Sequence, residues 1–170
     1  FLAADVSGKG IPAAMFMMTA KTIIKDLAER GLSVDEIFSF ANEKLCENNE
    51  SGMFVTAWIG KFDLSTGKLS FANAGHNPPV IVHANGECEY LKTRPGFVLA
   101  GMEGIKYREN EITLDKGDRI FLYTDGVTEA TDINETLYGE ERLQSYIDKN
   151  RGLNAEELLS GLKEDIDLFA

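Results

Sequence analysis

The chain has 170 residues, of which 44% are hydrophobic and 26% are charged, and these proportions are typical of a folded globular protein. The formal net charge of -11 argues against non-specific binding to nucleic acid or to an anionic membrane surface, because both partners are themselves negatively charged. The cysteines, Cys46 and Cys88, form no CxxC pair, which argues against zinc and favours a reduced, cytoplasmic protein. The sequence contains neither an apolar run of roughly 18 residues nor a signal peptide.

The first predicted elements are a strand and a long helix. Residues 1–4 are apolar and predict a short buried strand that ends in Asp5. Pro12 suits the first turn of the following helix, and Gly31 marks its end. Because residues 11–20 are almost all apolar, we expect this helix to be buried on most of its circumference. Three methionines are expected to fill the core there: Met15, Met17 and Met18.

A second helix and two strands follow. Ser33 and Glu36 have the spacing of a capping box and predict the start of an amphipathic helix. From residue 53 onwards the sequence becomes rich in Val, Thr and Ile and alternates loosely, which predicts strands at 53–62 and 68–74.

The remaining strands are expected to form two hairpins. Strands 80–83 and 88–91 flank Asn85-Gly86, a dipeptide that predicts a type I′ turn. Strands 109–114 and 119–123 are expected to pair with each other across the turn at residues 115–118.

Helical periodicity returns at residues 140–149 and 155–168, and Asn154 with Glu157 caps the second of these helices. The order is therefore strand, two helices, about six short strands and two helices. Tight turns between strands imply antiparallel pairing, since parallel neighbours need long crossovers. The sequence predicts an α+β fold, an antiparallel β-sandwich flanked by helices, rather than a doubly wound parallel sheet.

The stretch from Asp5 to Gly10 (DVSGKG) suggests two chemistries. A phosphate-binding P-loop needs GxxxxGK followed by Ser or Thr, but here Lys9 is followed by Gly10, and Ala3 stands where the first glycine belongs. The antiparallel strand order also argues against a nucleotide loop. Metal binding by the acid is the alternative.

A second acid follows an apolar strand in the same way. Asp125 comes after residues 120–124 and before Gly126. Two aspartates at strand ends can converge at one edge of a sheet, where their carboxylates suit Mg²⁺ or Mn²⁺. The simpler alternative is that each aspartate caps its own turn, as is common beside glycine.

Residues 71–79 (FANAGHNPP) predict a rigid loop between strands. His76 within this loop is one of two histidines in the chain, so a Ser-His-Asp system is weakly supported. No role is assigned at this point to His76 or to Lys9.

Four segments together resemble one protein family. They are Asp5-Val-Ser-Gly-Lys-Gly10, Gly52-Met-Phe-Val-Thr56, Asn73-Ala-Gly-His-Asn-Pro78 and Tyr123-Thr-Asp-Gly-Val-Thr-Glu-Ala130. Their order and spacing are similar to those of the SpoIIE/RsbU-type branch of the metal-dependent PPM serine/threonine phosphatases. The resemblance extends over almost the full chain.

The resemblance implies a four-layer αββα fold with a centre of two Mn²⁺ or Mg²⁺ ions. It assigns Asp5 as the acid that bridges the metals, the Val6 carbonyl as a further ligand, and Asp125 as a second metal-binding acid. Asp5 and Asp125 are thus the expected catalytic residues. The expected supporting loops contain Gly8, Gly10 and Gly126. Catalysis would be the attack of a metal-activated water on phosphoserine or phosphothreonine.

The resemblance also implies that residues 1–170 are a single, incomplete phosphatase domain. The family has an earlier acidic strand motif and a last strand that this chain lacks. Residues 164–167 (EDID) could be mistaken for the final motif, but they lie within the helical pattern of residues 155–168. We therefore expect the isolated chain to bind metal weakly or not at all.

Relatives of this type act in bacterial sigma-factor partner switching. The resemblance implies a phosphorylated STAS-type anti-anti-sigma protein as substrate and a sensor or receiver domain before the catalytic one, with a homodimer as one assembly to consider. The alternative function is a degenerate phosphatase domain that binds a regulated partner through its first two helices; the presence of Asp5 and Asp125 argues against it. A nucleotide-binding protein is the third and weakest interpretation.

Overall fold

The computed structural model describes residues 1–47 and 49–170, and this part of the chain contains seven strands and five helices. The chain divides into two units. Unit 1 comprises Phe1–His76 and Arg94–Leu114, and unit 2 comprises Asn77–Thr93 and Asp115–Ala170. That residues 1–170 form a single domain stays a prediction. Among the described residues, no helix combines the length and the apolar character that crossing a membrane requires.

Unit 1 contains a four-stranded antiparallel sheet. Its strands lie in the order β1 (Leu2–Val6), β2 (Val55–Asp63), β3 (Lys68–Ala74) and β6 (Asn110–Thr113). Every neighbouring pair is antiparallel. In the sheet that the structure describes, β1 is therefore an edge strand.

Two helices, α1 (Ile11–Glu29) and α2 (Val34–Cys46), pack against one face of this sheet. The predicted capping box starts α2, where the Glu36 carboxylate accepts a hydrogen bond from the Ser33 backbone N–H at 3.1 Å. The shared core includes Ile24, Phe38, Leu45, Val55, Ile59 and Leu99. Alternate residues of β1 and β2 point into it, as strand geometry requires.

The prediction that α1 is buried on most of its circumference is wrong. The buried residues of α1 are Ala13, Ala20 and Ile24. Ile11, Met15 and Met18 are 75%, 67% and 61% exposed, so of the three methionines only Met17 packs against the core. The apolar residues of α1 surround the helix, whereas the sheet and α2 cover only part of it.

Unit 2 contains a three-stranded antiparallel sheet in the order β5 (Cys88–Tyr90), β4 (Val80–Val82) and β7 (Arg119–Phe121). Its helices are α3 (Asp125–Thr128), α4 (Gly139–Lys149) and α5 (Ala155–Phe169). The core of unit 2 includes Val80, Val82, Tyr138, Leu143, Ile147 and Leu162. Residues 164–167 lie inside α5, as predicted.

Two predicted hairpin details are wrong. Strands β6 and β7 do not pair with each other, because β6 pairs with β3 and β7 pairs with β4. The turn between β4 and β5 is not type I′, since Gly86 has a φ of 91° but Asn85 does not have a positive φ. The Gly86 N–H donates to the His83 carbonyl at 2.9 Å, as in a type I turn followed by a left-handed glycine.

The α+β class with antiparallel sheets is confirmed.

Candidate metal-binding site

Asp5 lies within β1 rather than after it, because the strand continues to Val6. It pairs with Thr56 of β2 in the antiparallel register. Ala4 and Val6 pack towards the α1–α2 core, so the alternation of the strand directs the Asp5 side chain to the opposite face of the sheet. The carboxylate Oδ1 accepts a hydrogen bond from the Val6 backbone N–H at 3.0 Å. The backbone thus orients this partly buried acid.

The Val6 carbonyl lies on the open side of β1. Phe1 and Gly60 exchange both of their backbone hydrogen bonds, each at 2.9 Å. Hydrogen-bonded pairs alternate along an antiparallel ladder, so Asp5 and Thr56 are such a pair and Val6 is not. The Val6 carbonyl therefore points away from β2, where it is available as an oxygen ligand.

The DVSGKG loop turns the chain from β1 into α1. The Ser7 N–H donates to the Phe54 carbonyl and the Phe54 N–H donates to Ser7 Oγ, both at 2.9 Å, so Ser7 extends the pairing past the strand. Gly8 and Gly10 have φ values of 83° and 81°, and a Cβ atom at either position would meet no other atom within 4 Å. These glycines are therefore needed for their backbone conformation.

Asp125 lies in the first turn of α3, four residues beyond the end of β7. Its backbone carbonyl accepts hydrogen bonds from the Glu129 N–H at 2.7 Å and from Thr128 Oγ1 at 3.2 Å, so only the partly buried carboxylate remains for a ligand. Gly126 is a helical residue without a positive φ, so the prediction of a flexible glycine turn after a strand end is wrong here. Burial raises the pKa of neighbouring Tyr123 to about 12, and its phenol stays protonated at neutral pH.

The two predicted acids belong to different units: Asp5 lies within β1 of one sheet, and Asp125 follows β7 of the other sheet. The prediction that both aspartates lie at the edge of one sheet is therefore wrong. That they bind the same metal centre stays a prediction. Carboxylate and carbonyl oxygens suit Mg²⁺ or Mn²⁺ chemically. In residues 1–47 and 49–170, however, no group of three or more His, Cys, Asp or Glu side chains could hold a metal ion. The described residues could therefore supply some of the oxygen ligands of a metal ion, but they do not supply a complete set.

The loop at residues 73–76 adds contacts that sequence analysis did not predict. The His76 N–H donates to Asn73 Oδ1 at 2.8 Å, and Asn73 Nδ2 donates to the His76 carbonyl at 2.9 Å. A hydrogen bond of 2.9 Å joins His76 Nδ1 to Thr56 Oγ1. The only sequence signal for the contact between Thr56 and His76 was that each lies in one of the four segments that resemble the phosphatase family.

Comparison with known proteins identifies the family. The profile described as Stage II sporulation protein E (SpoIIE) matches residues 1–170. The chain belongs to the SpoIIE family. A relative of this SpoIIE-family chain is the phosphoserine phosphatase RsbU of Bacillus subtilis, with 29% identity over 163 residues. The match covers 96% of this chain and 48% of RsbU, so the chain spans about half the length of that relative.

Solved structures share the fold of this SpoIIE-family chain. The RsbU and RsbW domains of Rv1364c from Mycobacterium tuberculosis match with a TM-score of 0.79 and 24% identity, over 97% of this chain and 46% of that one. The catalytic domain of the serine/threonine protein phosphatase PstP, in complex with two manganese ions, matches with a TM-score of 0.72 and 15% identity. That match covers 97% of this chain and 79% of PstP. The predicted phosphatase fold is thereby confirmed.

Proposed function

We propose that this SpoIIE-family chain is the catalytic part of a metal-dependent phosphatase that hydrolyses phosphoserine or phosphothreonine in proteins. The observation that carries the proposal is the placement of Asp5, whose carboxylate is oriented by the Val6 N–H at 3.0 Å beside a loop of two left-handed glycines. The 29% identity to an enzyme named phosphoserine phosphatase RsbU supports it.

Three groups would hold the metal in this proposal. The Asp5 carboxylate, the Val6 carbonyl on the open side of β1 and the Asp125 carboxylate would hold the Mn²⁺ or Mg²⁺ ions. Bound ions of this kind supply an activated water and balance the charge of the phosphoryl group. Gly8 and Gly10 let the loop turn without side chains beside Asp5.

The experiment is a phosphate-release assay on the intact protein with a phosphoserine protein substrate. We expect turnover with Mn²⁺, loss of turnover with a chelator, and recovery on addition of metal. Asp125→Asn should lower kcat by at least about a hundredfold, because it removes a charged ligand. Turnover that is insensitive to the chelator, or an Asp125→Asn variant as active as the wild type, would contradict the proposal. Absence of any turnover would favour a protein-binding module instead.

We further propose that the substrate is a phosphorylated STAS-type anti-anti-sigma protein. The similarity to RsbU and to a chain that carries both RsbU and RsbW domains supports a place in partner-switching signalling. The net charge of -11 is consistent with a protein substrate rather than nucleic acid. Phosphate-affinity electrophoresis of a phosphorylated STAS protein, with an unrelated phosphoserine protein as control, tests this point. Equal rates on both substrates would contradict it.

A further inference from the structure

A chain of contacts leads from His76 to Asp5 within unit 1. The main chains of Asp5 and Thr56 are hydrogen-bonded to each other in the β1–β2 ladder. Directly opposite residues of an antiparallel pair project from the same face, with Cβ atoms about 5 Å apart. Thr56 is therefore the closest cross-strand neighbour of the Asp5 side chain.

The side chain of Thr56 is held in turn by His76. The 2.9 Å contact between Thr56 Oγ1 and His76 Nδ1 joins two residues that are 20 positions apart. His76 is 5% exposed, so water competes little for this hydrogen bond. A threonine whose hydroxyl is bound to a fixed partner keeps one rotamer.

His76 is itself fixed by its loop. Two buried hydrogen bonds, of 2.8 and 2.9 Å, join it to the side chain of Asn73. Gly75 precedes it with a φ of 71°, and a Cβ atom there would lie 2.8 Å from Cγ1 of Val98. The loop therefore fixes the backbone of His76, from which the imidazole reaches Thr56.

We infer that Thr56 and His76 are positioning residues for Asp5: His76 fixes Thr56, and Thr56 fixes the strand segment that carries the carboxylate. The inference rests on the proposed function of Asp5 as a metal ligand. Metal-binding groups must be held within about 0.5 Å of their productive positions, and a supporting layer of hydrogen bonds provides this precision. Neither residue is required to touch the substrate.

The first test needs no metal and measures amide hydrogen exchange in the protein. His76→Gln moves the polar atoms away from the Nδ1 position, whereas His76→Asn keeps one there, bonded to Cγ as Nδ1 is. We expect His76→Gln to speed exchange at the Asp5 and Thr56 amides by roughly tenfold, the effect of one lost buried hydrogen bond. Exchange at Ala41 and Asn42, inside α2, should not change. His76→Asn should resemble the wild type.

Two outcomes would overturn the inference: no acceleration in His76→Gln, or equal acceleration at the α2 amides, which would mean general destabilisation. His83→Asn, which removes the other imidazole of the chain, is the control and should leave the Asp5 amide unchanged. If His76→Gln does not fold, Thr56→Val and Thr56→Ser again compare loss of the hydrogen bond between residues 56 and 76 with its retention. Val lacks the hydroxyl and should speed exchange, whereas Ser retains it; identical behaviour of the two would overturn the inference.

The second test is kinetic and uses the intact protein with Mn²⁺. Because Thr56 and His76 act through one hydrogen bond, Thr56→Val, His76→Gln and the double variant should lower kcat by the same factor, with KM unchanged. Fully additive losses would contradict a shared role. If the wild type shows no metal-dependent turnover, the proposed function fails while the exchange experiment still decides the positioning role.

Discussion

Asn42, which is fully buried on α2, holds the backbone of Ala100 through a hydrogen bond of 3.0 Å from the Ala100 N–H to Asn42 Oδ1. The same side chain donates from Nδ2 to the Met102 carbonyl at 2.8 Å. The Tyr107 hydroxyl also donates to Oδ1, at 3.3 Å. Burial raises the pKa of Tyr107, so the phenol keeps the proton that it donates. One side chain thus ties the segment around residue 100 to the helix.

We predict that Asn42→Ala lowers the free energy of unfolding by about 2–4 kcal/mol, because it leaves buried polar groups without partners. Chemical denaturation measures the change. The control is Asn134→Ala, at an exposed position whose backbone N–H, which alanine retains, is hydrogen-bonded to Asp132. It should change stability by less than about 0.5 kcal/mol. Equal effects of the two substitutions would show that the buried contacts contribute little.

Trp58 is fully buried between aromatic neighbours, and its ring centroid lies 5.3 Å from that of Phe71 and 5.6 Å from that of Phe1. Its Nε1 has no hydrogen-bond partner among the described residues. Trp58→Phe removes this unpaired N–H while keeping an aromatic ring, so we predict a loss below about 1.5 kcal/mol. Trp58→Ala should cost about 3–5 kcal/mol through the cavity that it leaves. A loss in Trp58→Phe as large as that in Trp58→Ala would contradict this account.

Gly75 occupies a left-handed conformation in close contact with Val98. Its φ is 71°, and an added Cβ would lie 2.8 Å from Cγ1 of Val98. We predict that Gly75→Ala costs about 1–3 kcal/mol of stability from backbone strain, to which the close contact adds. Gly152→Ala is the matched control, since Gly152 has no positive φ and an added Cβ there would meet no atom within 4 Å. Thermal unfolding that shows the same Tm for both variants would rule out this explanation.

His83 links stability to pH. Its hydrogen bond to Glu89, together with its contact to Asp118, raises the imidazole pKa despite the opposing effect of partial burial. A raised folded-state pKa stabilises the protein fully below the unfolded value of about 6.5, and this contribution is lost as pH rises through the folded value. We therefore predict that the wild type loses stability relative to His83→Asn as the pH rises from about 6.5 through the raised folded-state pKa. If the denaturation midpoints of the wild type and of His83→Asn change in parallel with pH, the prediction is wrong.

Local signals predicted several elements correctly. The capping boxes at Ser33 and Asn154 mark the starts of α2 and α5, because capping depends on residues three apart in the sequence. The bounds of β3 also agree with the prediction.

Long-range pairing could not be read from the same signals. The turn at residues 115–118 suggested a hairpin, but Asp118 Oδ1 accepts a hydrogen bond from the Ala84 N–H at 2.8 Å, which ties the turn to the β4–β5 loop. The pairing partners of β6 and β7 depend on such distant contacts. The nearly continuous apolar run at residues 11–20 likewise does not say how much of α1 its neighbours cover.

The candidate site was predicted only in part, and for the same reason. Asp5 and Asp125 stand out through their motifs, and their roles stay predictions. The contact between Thr56 and His76 joins separate motifs and becomes visible only once β2 and the 73–76 loop are placed.

The most direct test of the central claim is the Mn²⁺-dependent rate of phosphoserine hydrolysis by the Asp5→Asn variant of the intact protein. Asp26→Asn is the matched control, because Asp26 is an exposed acid on α1 that pairs with Arg30 at 2.6 Å. We predict that Asp5→Asn lowers kcat by at least about a hundredfold and weakens Mn²⁺ binding in calorimetry, while Asp26→Asn keeps the wild-type rate. An Asp5→Asn variant that retains the wild-type rate and Mn²⁺ affinity would contradict the assignment of Asp5 as a metal ligand.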